Sequence, residues 1–320
     1  MKPAFERNQN LLVTKRTDAR GKVTSYEYDA NGNVKSISDS LSSTPQTGSN
    51  NNDDQLFAAK TYYPVGASPT GATIKDVNDD GTPDIITANR YSNNVSVLPG
   101  NGDGTFASPE NYPVANQPTS VALGDVNGDG KNDIVTASPY GGRNPNSGRV
   151  SVLWGDGNGN FGTQTNYTVG YRAVSVVVGD INKDGKNDIV TANGSSSNNI
   201  SVLLSSSSGS FSKTDIPLNS LPEAVILKDL DKYGNLDIIS ASPIGTNSST
   251  GSVSVLLGND NGTFAAQSNY MAGSRLGGVA VGDINKDGRN DIVTASPASG
   301  GSVASVLLGN SDGSFASPTN

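Results

Sequence analysis

Short apolar stretches alternate with polar, glycine-rich stretches along most of this chain, and their order returns about every 50 residues. In one such unit, Val121 and Leu123 alternate with small residues, Ile134 opens a β-branched run, and Val150 opens a Val-Ser-Val-Leu stretch. A final stretch extends from a phenylalanine to a tyrosine six residues later. Alternation with a period of two predicts a strand with one buried face, and a short β-branched run predicts a strand buried on both faces. Each unit is therefore predicted to contain four short strands.

An acidic loop between the first and second predicted strands marks five such units. The loops begin at Asp76, Asp125, Asp180, Asp229 and Asp283, at separations of 49, 55, 49 and 54 residues. A period of this length indicates a repeat architecture, and a strand that is apolar on both faces suits a propeller blade, which lies between two neighbouring blades. We therefore predict an all-β fold, a β-propeller of five four-stranded antiparallel blades, over residues 56–320.

The phase of the repeat predicts how the ring closes. Phe57 and Tyr63 have the spacing of a fourth strand but follow no unit, whereas the last unit, at about residues 278–308, lacks the matching tyrosine. We expect the N-terminal strand, residues 57–66, to complete the last blade, which would join the two ends and remove an open sheet edge. Five blades that close in this way predict a monomer, and an array that does not close predicts an oligomer.

Residues 1–55 differ in character from the repeats. Residues 1–37 contain an alternating pair of stretches around Asn31-Gly32, a dipeptide typical of a two-residue hairpin turn, so we predict a short β-hairpin fragment. Residues 38–55 are polar and rich in serine and asparagine, which predicts a flexible linker.

The composition removes several classes of chemistry. The 320 residues include no cysteine and no histidine, so disulfides, Cys/His zinc sites and imidazole-based catalysis are excluded, and carboxylates remain as metal ligands. A formal charge of −8 argues against a nucleic-acid partner. No apolar run is long enough to span a membrane, and the N-terminus lacks a signal-like stretch. We expect a secreted or cell-surface location reached as part of a longer exported protein.

The acidic loops carry oxygen ligands at a spacing that suits calcium. Positions 1, 3, 5 and 9 carry side-chain oxygens, position 6 is glycine, and position 7 offers its backbone carbonyl. Calcium takes about six to eight oxygen ligands, and glycine permits the sharp turn that gathers them. Flanking strands and the absence of glutamate at position 12 argue against an EF-hand. The alternative is a set of tight Asp/Asn/Gly turns without metal, which five copies in phase disfavour, since clustered carboxylates repel one another unless a cation joins them.

The predicted metal ligands at positions 1, 3, 5, 7 and 9 are, loop by loop, Asp76, Asn78, Asp80, Thr82 and Asp84; Asp125, Asn127, Asp129, Lys131 and Asp133; Asp180, Asn182, Asp184, Lys186 and Asp188; Asp229, Asp231, Tyr233, Asn235 and Asp237; and Asp283, Asn285, Asp287, Arg289 and Asp291. In the fourth loop Tyr233 replaces the aspartate of position 5, although Asp231 replaces the asparagine of position 3. We therefore predict four strong Ca²⁺ sites and a weaker fifth.

The combined motif is GDVNGDGKNDIVTASP at residues 124–139, followed by VSVLWGDGNGNF at residues 150–161. This motif resembles the FG-GAP/VCBS repeat family, whose best-known members form the propeller of integrin α-subunits, and the resemblance covers residues 57–320. It implies a β-propeller, often seven-bladed, with calcium between the first and second strands of its blades and recognition usually on the opposite face. Tyr26, Tyr28-Asp29, Gly32 and Asn33 look like one YD repeat of the RHS type. Such repeats adjoin FG-GAP segments in large exported bacterial polymorphic and Tc-like toxin proteins.

The loops between the second and third strands would lie opposite the calcium loops, and their lengths vary most among the units. Variable loops on a rigid scaffold commonly carry recognition, and arginine and tyrosine are enriched at interaction hot spots. The predicted ligand-binding residues on this face are Arg90, Tyr91, Tyr140, Arg143, Tyr171, Arg172 and Arg275. We expect them to contact a protein or glycan ligand of anionic or polar character.

We predict a calcium-binding extracellular module for binding, cell adhesion or scaffolding, and not an enzyme. The alternatives are a carbohydrate-active enzyme, such as a polysaccharide lyase or hydrolase, and a lectin on the same propeller. An enzyme needs an acid and base outside the metal loops, but Glu110 and Glu223 are the only glutamates after residue 57. A lectin needs aromatic stacking platforms, and Trp154 is the only tryptophan.

Overall fold

The computed structural model describes residues 4–7, 13–17, 23–28, 34–39, 61–140, 147–195, 197–206, 209–243, 251–273, 276–296 and 303–316. The chain divides into two compact units, Met1–Thr61 and Tyr62–Asn320. Every regular element in the described ranges is a β-strand, which confirms the predicted all-β class. No helix there is long and apolar enough to cross a membrane.

The first unit contains one antiparallel sheet of four strands in sequence order. The strands are β1 (Ala4–Arg7), β2 (Val13–Thr17), β3 (Val23–Tyr28) and β4 (Val34–Asp39). The last two are the alternating pair that the sequence predicts, with Tyr26 opposite Ile37. The prediction of a hairpin alone missed β1 and β2, which supply the additional strands that an isolated hairpin needs for stability. Residues 40–55 of the predicted linker lie outside the described residues.

In its described residues, the second unit contains five antiparallel sheets, each built from strands that are consecutive in sequence. The first sheet is β5 (Pro69–Lys75), β6 (Asp84–Asn89), β7 (Asn94–Leu98) and β8 (Glu110–Pro113); the second is β9 (Ser120–Gly124), β10 (Asp133–Ser138), β11 (Gly148–Leu153) and β12 (Thr165–Val169); the third is β13 (Ala173–Gly179), β14 (Asp188–Asn193), β15 (Asn199–Ser205) and β16 (Phe211–Pro217); the fourth is β17 (Ala224–Lys228), β18 (Asp237–Ser242), β19 (Ser252–Leu256) and β20 (Ser268–Met271); the fifth is β21 (Gly278–Gly282), β22 (Asp291–Ser296) and β23 (Val303–Leu307). As predicted, each acidic loop joins the first strand of a sheet to the second.

The second strand of each sheet lies inside the sheet, and its β-branched sequence explains its burial. In β10, the fully buried Val135 pairs with Ala122 of β9 on one side and with Val152 of β11 on the other. All six residues of β10, β14 and β18 are buried. Valine and isoleucine suit a pleated surface that is covered on both faces. These strands therefore hold the end of each acidic loop on a rigid support.

Consecutive sheets pack face to face. Four clusters of buried apolar side chains join the first sheet to the second, the second to the third, the third to the fourth, and the fourth to the fifth. The first strands of neighbouring sheets lie next to each other along the same series. We term the face that packs on the following sheet the far face, represented by Ile86 of the first sheet, and the face that packs on the preceding sheet the near face, represented by Ile134 of the second.

An aromatic pair repeats at these interfaces. The tyrosine near the end of one sheet meets the phenylalanine of the following sheet edge to face, an arrangement that the ring quadrupoles favour. The pairs and their ring-centroid distances are Tyr112–Phe161 at 5.4 Å, Tyr167–Phe211 at 4.8 Å and Tyr270–Phe315 at 5.5 Å. The Phe-to-Tyr spacing in the sequence therefore marks contacts between sheets as well as strands within them.

The fifth sheet corrects one prediction. It has three strands in the described part of the chain, and residues 61–65 belong to no strand, so the expected fourth strand from residues 57–66 is not observed there. Tyr63 packs on the first sheet instead: its ring lies 5.4 Å from that of Phe106, and its hydroxyl accepts a hydrogen bond from the Phe106 amide at 3.3 Å. The six-residue spacing of Phe57 and Tyr63 identifies the local contact of Tyr63, but it does not say whether residues 57–66 can reach the edge of β23. Ring closure and blade number stay predictions.

Candidate functional site

The acidic loops lie at one end of the sheets because each connects a first strand to a second one. In the second loop, Gly130 at position 6 has a φ of +83°, a conformation that strains residues with a side chain. Its amide donates a hydrogen bond to Oδ2 of Asp125, at position 1, over 2.7 Å. The other four loops contain the same bond at 2.8 to 3.0 Å. The glycine turn therefore folds position 6 back onto the carboxylate of position 1.

Positions 3 and 5 face each other across the turn. In the second loop, Asn127 Oδ1 accepts a hydrogen bond from the Asp129 amide at 2.9 Å, and Asn127 Nδ2 donates to Asp129 Oδ2 at 3.3 Å. The first and fifth loops repeat the side-chain contact at 3.0 and 3.1 Å. Because carboxylate and amide oxygens carry two lone pairs each, these bonds leave acceptor capacity free on the solvent side of the loop.

Position 9 is a buried clamp. Asp133 is fully buried; its Oδ2 accepts a hydrogen bond from the Val126 amide and its Oδ1 accepts one from the Gly155 amide, both at 3.0 Å. The aspartates at this position are fully buried in all five loops and accept the same two kinds of bond: Asp84, Asp133, Asp188, Asp237 and Asp291. They tie each acidic loop to the segment that follows the third strand. Sequence reasoning assigned these residues to metal binding alone and missed the clamp.

Burial and like charge raise the pKa of several of these carboxyl groups in the metal-free chain. The pKa of Asp133 is raised from 3.8 to about 6, chiefly because burial penalises the charged form; two backbone amides oppose the shift, and Asp129 and Asp125 add to it. The pKa of Asp237 is raised to about 6 for the same main reason, and that of Asp188 is raised as well. A cation beside these groups would stabilise their charged forms.

The fourth loop brings three carboxylates together. One oxygen from each of Asp229, Asp231 and Asp237 lies within 4.8 Å of the others, and no other such group of acidic side chains occurs in the described ranges. The aspartate at position 3 supplies the third carboxylate, where the other loops have asparagine. Sequence reasoning ranked this loop as the weakest because Tyr233 stands at position 5. The structure places Asp231 close to the other two carboxylates, and the relative strength of this site stays a prediction.

The donor set of every loop fits a hard divalent cation. The predicted donors are oxygens of carboxylates, amide side chains and a backbone carbonyl, as calcium prefers. In two loops, the basic side chain at position 7 forms an ion pair with the aspartate at position 5. Lys186 Nζ lies 3.1 Å from Asp184 Oδ2, and Arg289 Nη1 lies 3.3 Å from Asp287 Oδ2. Such exposed ion pairs are weak, so they neutralise the loops only in part.

Two predicted recognition residues meet at the opposite end of the sheets. The rings of Tyr140 and Tyr171, from the second sheet and from its connection to the third, have centroids 6.4 Å apart. Beside them, Arg172 Nη2 lies 3.1 Å from Glu223 Oε1. The positive charge of Arg172 is therefore already paired within the chain; Tyr140 is exposed, and Tyr171 is half-buried.

Of the other predicted recognition residues, Arg90 and Tyr91 make a separate local contact. Arg90 donates two hydrogen bonds to Gln117 Oε1 at 3.3 Å, and its guanidinium lies 5.9 Å from the centre of the Tyr91 ring. Arg143 and Arg275 lie outside the described residues. The structure thus brings together Tyr140, Tyr171 and Arg172 at one sheet junction, and the wider Arg/Tyr patch stays a prediction.

A groove that the sequence does not predict lies between the second and third acidic loops. Its volume is about 590 Å³, and its lining includes Asn127, Asp129, Trp154, Tyr167 and Lys186. The indole N–H of Trp154 donates to Thr165 Oγ1 at 3.1 Å, which fixes the ring. The one sequence signal for this groove is a tryptophan where the other units have proline or leucine.

Family models match both parts of the chain. A model of the FG-GAP-like repeat matches residues 76–136, 125–191 and 229–294, and a model of the FG-GAP repeat matches residues 277–313. A model of the RHS repeat matches residues 8–44. The two repeat types that the sequence motifs predict are therefore confirmed. No curated protein sequence matches the chain.

Several solved structures have a similar fold. A functionally unknown protein from Desulfotomaculum acetoxidans matches with a TM-score of 0.53 and 11% identity, over 79% of this chain and 69% of that one. The biofilm matrix protein Bap1 of V. cholerae matches with 24% identity and a TM-score of 0.44, over 78% of this chain and 38% of Bap1. A Tc holotoxin pore structure from Photorhabdus luminescens matches with 15% identity and a TM-score of 0.41, over 93% of this chain and 13% of that one. This chain therefore spans less than half of the latter two.

Proposed function

This chain belongs to the FG-GAP-like repeat family, and from that premise we propose that residues 62–320 form a calcium-binding module that serves binding or scaffolding outside the cell. The finer fold that we propose is a series of β-propeller blades. Its support is that each internal sheet lies between two neighbours and that the first strands are adjacent along the series. An antiparallel sheet covered on both faces is the arrangement that a blade requires.

The observation that carries the calcium proposal is the common geometry of the five loops. Each has a glycine turn that returns onto the carboxylate of position 1 and a buried aspartate at position 9, and in the fourth loop three carboxylate oxygens lie within 4.8 Å of one another. Bound calcium would supply positive charge to carboxylates whose pKa is raised by burial and by each other. The chain's own residues orient the oxygens through backbone amides, so little ordering remains to be done on binding.

Calcium is expected to act on stability. If each site is held at about ten times its dissociation constant, binding contributes about 1.4 kcal/mol per site to the free energy of unfolding. Five sites would then contribute on the order of 7 kcal/mol, which is comparable with the whole stability of a typical domain. Extracellular modules bind calcium at about 10⁻⁴ to 10⁻³ M, which supports a role outside the cell.

Equilibrium dialysis against calcium followed by elemental analysis tests this proposal. We expect about one calcium ion per acidic loop. A variant with Asp125→Asn and Asp129→Asn should lose one equivalent, and the exposed Tyr91→Phe substitution provides a matched control away from the loops. A chain that retains no calcium at millimolar concentration would contradict the proposal.

We propose a binding role rather than an enzymatic one. Both glutamates of the second unit are engaged by neighbours: Glu110 Oε2 accepts a hydrogen bond from the Tyr112 hydroxyl at 2.7 Å, and Glu223 pairs with Arg172. The repeated aspartates are held in the acidic loops. These contacts support a binding role, because the carboxylates on which an acid–base pair would draw already accept hydrogen bonds or pair with arginine.

The Tyr140–Tyr171 pair is our candidate for the centre of the recognition surface. Tyrosine offers a large amphipathic contact area at low conformational cost, which favours it at hot spots. Replacing both tyrosines with alanine should abolish binding of the labelled chain to cells or to an immobilised glycan array. Tyr62→Ala removes an exposed tyrosine outside the acidic loops and the predicted recognition residues, and it should leave that binding unchanged. Equal loss in both variants would contradict this location.

A lectin activity is a second candidate, favoured by the groove at Trp154. An indole ring fixed beside polar side chains suits a sugar ring, which stacks its apolar face and hydrogen-bonds through its hydroxyls. Because Trp154 is the only tryptophan, intrinsic fluorescence reports on this groove directly. Titration with galactose, mannose and N-acetylglucosamine in the presence of calcium should change the emission if the groove binds sugar. An unchanged emission spectrum would contradict the lectin activity while leaving the calcium proposal intact.

A further inference from the structure

The far face of the fifth sheet is uncovered in the described part of the chain. Ala295 is exposed. The alanines at the same place in the other four sheets are at most 4% exposed: Ala88, Ala137, Ala192 and Ala241. Ile284 is 51% exposed, whereas the residues at its loop position in the other sheets are at most 4% exposed: Val77, Val126, Ile181 and Leu230.

A glycine position supports the same conclusion. A Cβ built on Gly179 would contact the side chain of Leu227 in the following sheet, whereas a Cβ built on the equivalent Gly282 meets nothing within 4 Å. Residues that elsewhere meet the next sheet therefore face open space at the end of the array.

The near face of the first sheet is also uncovered. Ala72 is exposed, and Ile74 is 69% exposed. The residues equivalent to Ala72 in the next three sheets are 3% to 8% exposed: Val121, Val176 and Val225. Ile85 is half-buried, whereas its four equivalents are fully buried: Ile134, Ile189, Ile238 and Ile292. The array thus has one open face of each kind, and the chain already joins these two kinds of face four times.

The strand count of the two ends is complementary as well. The ring centroids of Tyr63 and Phe106 lie 5.4 Å apart at the first sheet. At other sheet interfaces, the tyrosine of the fourth strand of the preceding sheet makes the same contact. Residues 61–66 therefore occupy the place of a fourth strand, and the sheet that covers the first one needs only three strands. The fifth sheet has three strands in its described part.

We propose that the fifth sheet of one copy of this chain docks on the first sheet of a second copy, head to tail. The contact extends the interface that each copy repeats internally. In the described part of the chain, the four buried clusters join only consecutive sheets, and their core side chains are at most 9% exposed. Close-packed interfaces resist continuous deformation. A second copy covers both open faces without disturbing any of them.

Such a contact joins two different surfaces, so it does not end with a dimer. Each docked pair still carries one open near face and one open far face, and further copies add to them. This inference goes beyond the proposed calcium function, because Ala72 and Ala295 of the two open faces lie on strands outside the acidic loops. Its failure would therefore leave that function standing.

Sedimentation velocity and light scattering of the full chain in calcium test the proposal. The weight-average mass of the unaltered chain should rise with concentration, from micromolar to sub-millimolar, beyond the mass of a dimer. A mass that stays at one chain over this range overturns the proposal, including the case in which the array closes within one molecule.

Two matched substitutions test the direction of the contact. Ala72→Glu places a charge on the open near face and Ala295→Glu places one on the open far face; both sites are exposed in the single chain, so both variants should fold. In the docked state each glutamate would be buried without a partner, which is strongly unfavourable. Each variant alone should therefore stay at the mass of one chain, because every head-to-tail contact needs one intact near face and one intact far face. The exposed control Ala266→Glu should assemble like the unaltered chain.

An equal mixture of the two variants gives the most specific readout. The Ala72→Glu copy retains an intact far face, and the Ala295→Glu copy retains an intact near face, so the mixture should form a one-to-one dimer and nothing larger. Circular dichroism of each variant checks that it is folded. A mixture that stays monomeric, or a variant that assembles alone as well as the unaltered chain does, overturns the head-to-tail contact.

Discussion

Replacing Asp133 with alanine separates the two roles of the acidic loops. The Asp133 carboxylate is fully buried and accepts hydrogen bonds from the amides of Val126 and Gly155, both at 3.0 Å. The comparison variant is Asp129→Ala, which removes an exposed carboxylate of the same loop. Both residues are predicted calcium ligands, but only Asp133 connects the loop to the segment after the third strand.

The expected magnitudes differ because the two sites differ in burial. Losing the acceptor of a buried amide costs about 1–3 kcal/mol, so the two amides freed by Asp133→Ala would cost about 2–6 kcal/mol in total. Removal of a carboxylate whose pKa is raised to about 6 relieves part of this loss at neutral pH. We therefore expect the free energy of unfolding to fall by about 2 kcal/mol or more in chelator. Asp129→Ala should change it by less than about 0.5 kcal/mol there, since water replaces the lost bonds.

Urea unfolding followed by Trp154 fluorescence measures both values, once in chelator and once in calcium. Trp154 directly precedes Gly155, whose amide the Asp133 clamp binds, so its emission reports on the relevant sheet. In calcium at about ten times the dissociation constant, Asp129→Ala should lose the roughly 1.4 kcal/mol that one site contributes. The variants should thus differ in chelator and both be impaired in calcium.

One result would contradict the structural role of Asp133. If Asp133→Ala unfolds at the same urea concentration as the unaltered chain in chelator, and differs from it only in calcium, then position 9 is a metal ligand alone. The hydrogen bonds at 3.0 Å would then contribute nothing measurable to the folded state.

Three further predictions test the array and the loops. Ile181→Ala should lower the free energy of unfolding by about 2–5 kcal/mol, because the side chain is fully buried. Ile284→Ala, at the same loop position but 51% exposed, should lower it by less than about 0.5 kcal/mol in dilute solution. Equal losses in urea unfolding would show that the fifth sheet is covered in the single chain. In chelator, the free energy of unfolding should fall as the pH rises from about 4 to 6. The pKa of Asp133 and of Asp237 is raised from 3.8 to about 6 in the folded chain, so the folded chain binds more protons than the unfolded chain in this window. Urea unfolding across that range measures the slope, and a stability that rises with pH would contradict the prediction. Addition of calcium above pH 6 should raise the thermal midpoint more than addition at pH 4.5, where these carboxyls are protonated, and scanning calorimetry at the two pH values gives the comparison.

The strands and the acidic loops were predictable because their signals are local. Alternation around Val121 and the β-branched run at Ile134 specify neighbouring residues of one strand each, and the glycine turn at Gly130 fixes the loop between them. The order of sheets also followed, since consecutive units pack on one another. Closure did not follow, because the contact between Tyr63 and Phe106 is satisfied whichever molecule supplies the sheet beside residues 61–66.

The acidic loops show why reading one position at a time has a limit. The sequence assigns one role to each position, so Tyr233 counts as a lost ligand and Asp237 as an ordinary one. In space, a carboxylate acts through all of its oxygens at once: Asp237 accepts two backbone amides and also lies within 4.8 Å of Asp229 and Asp231. Burial is the main cause of the raised pKa of Asp237; its two backbone hydrogen bonds oppose the shift, and the charges of Asp231 and Asp229 add to it. Because a cation stabilises carboxylates that are held close together, our calcium proposal includes the fourth loop although Tyr233 replaces the aspartate of position 5.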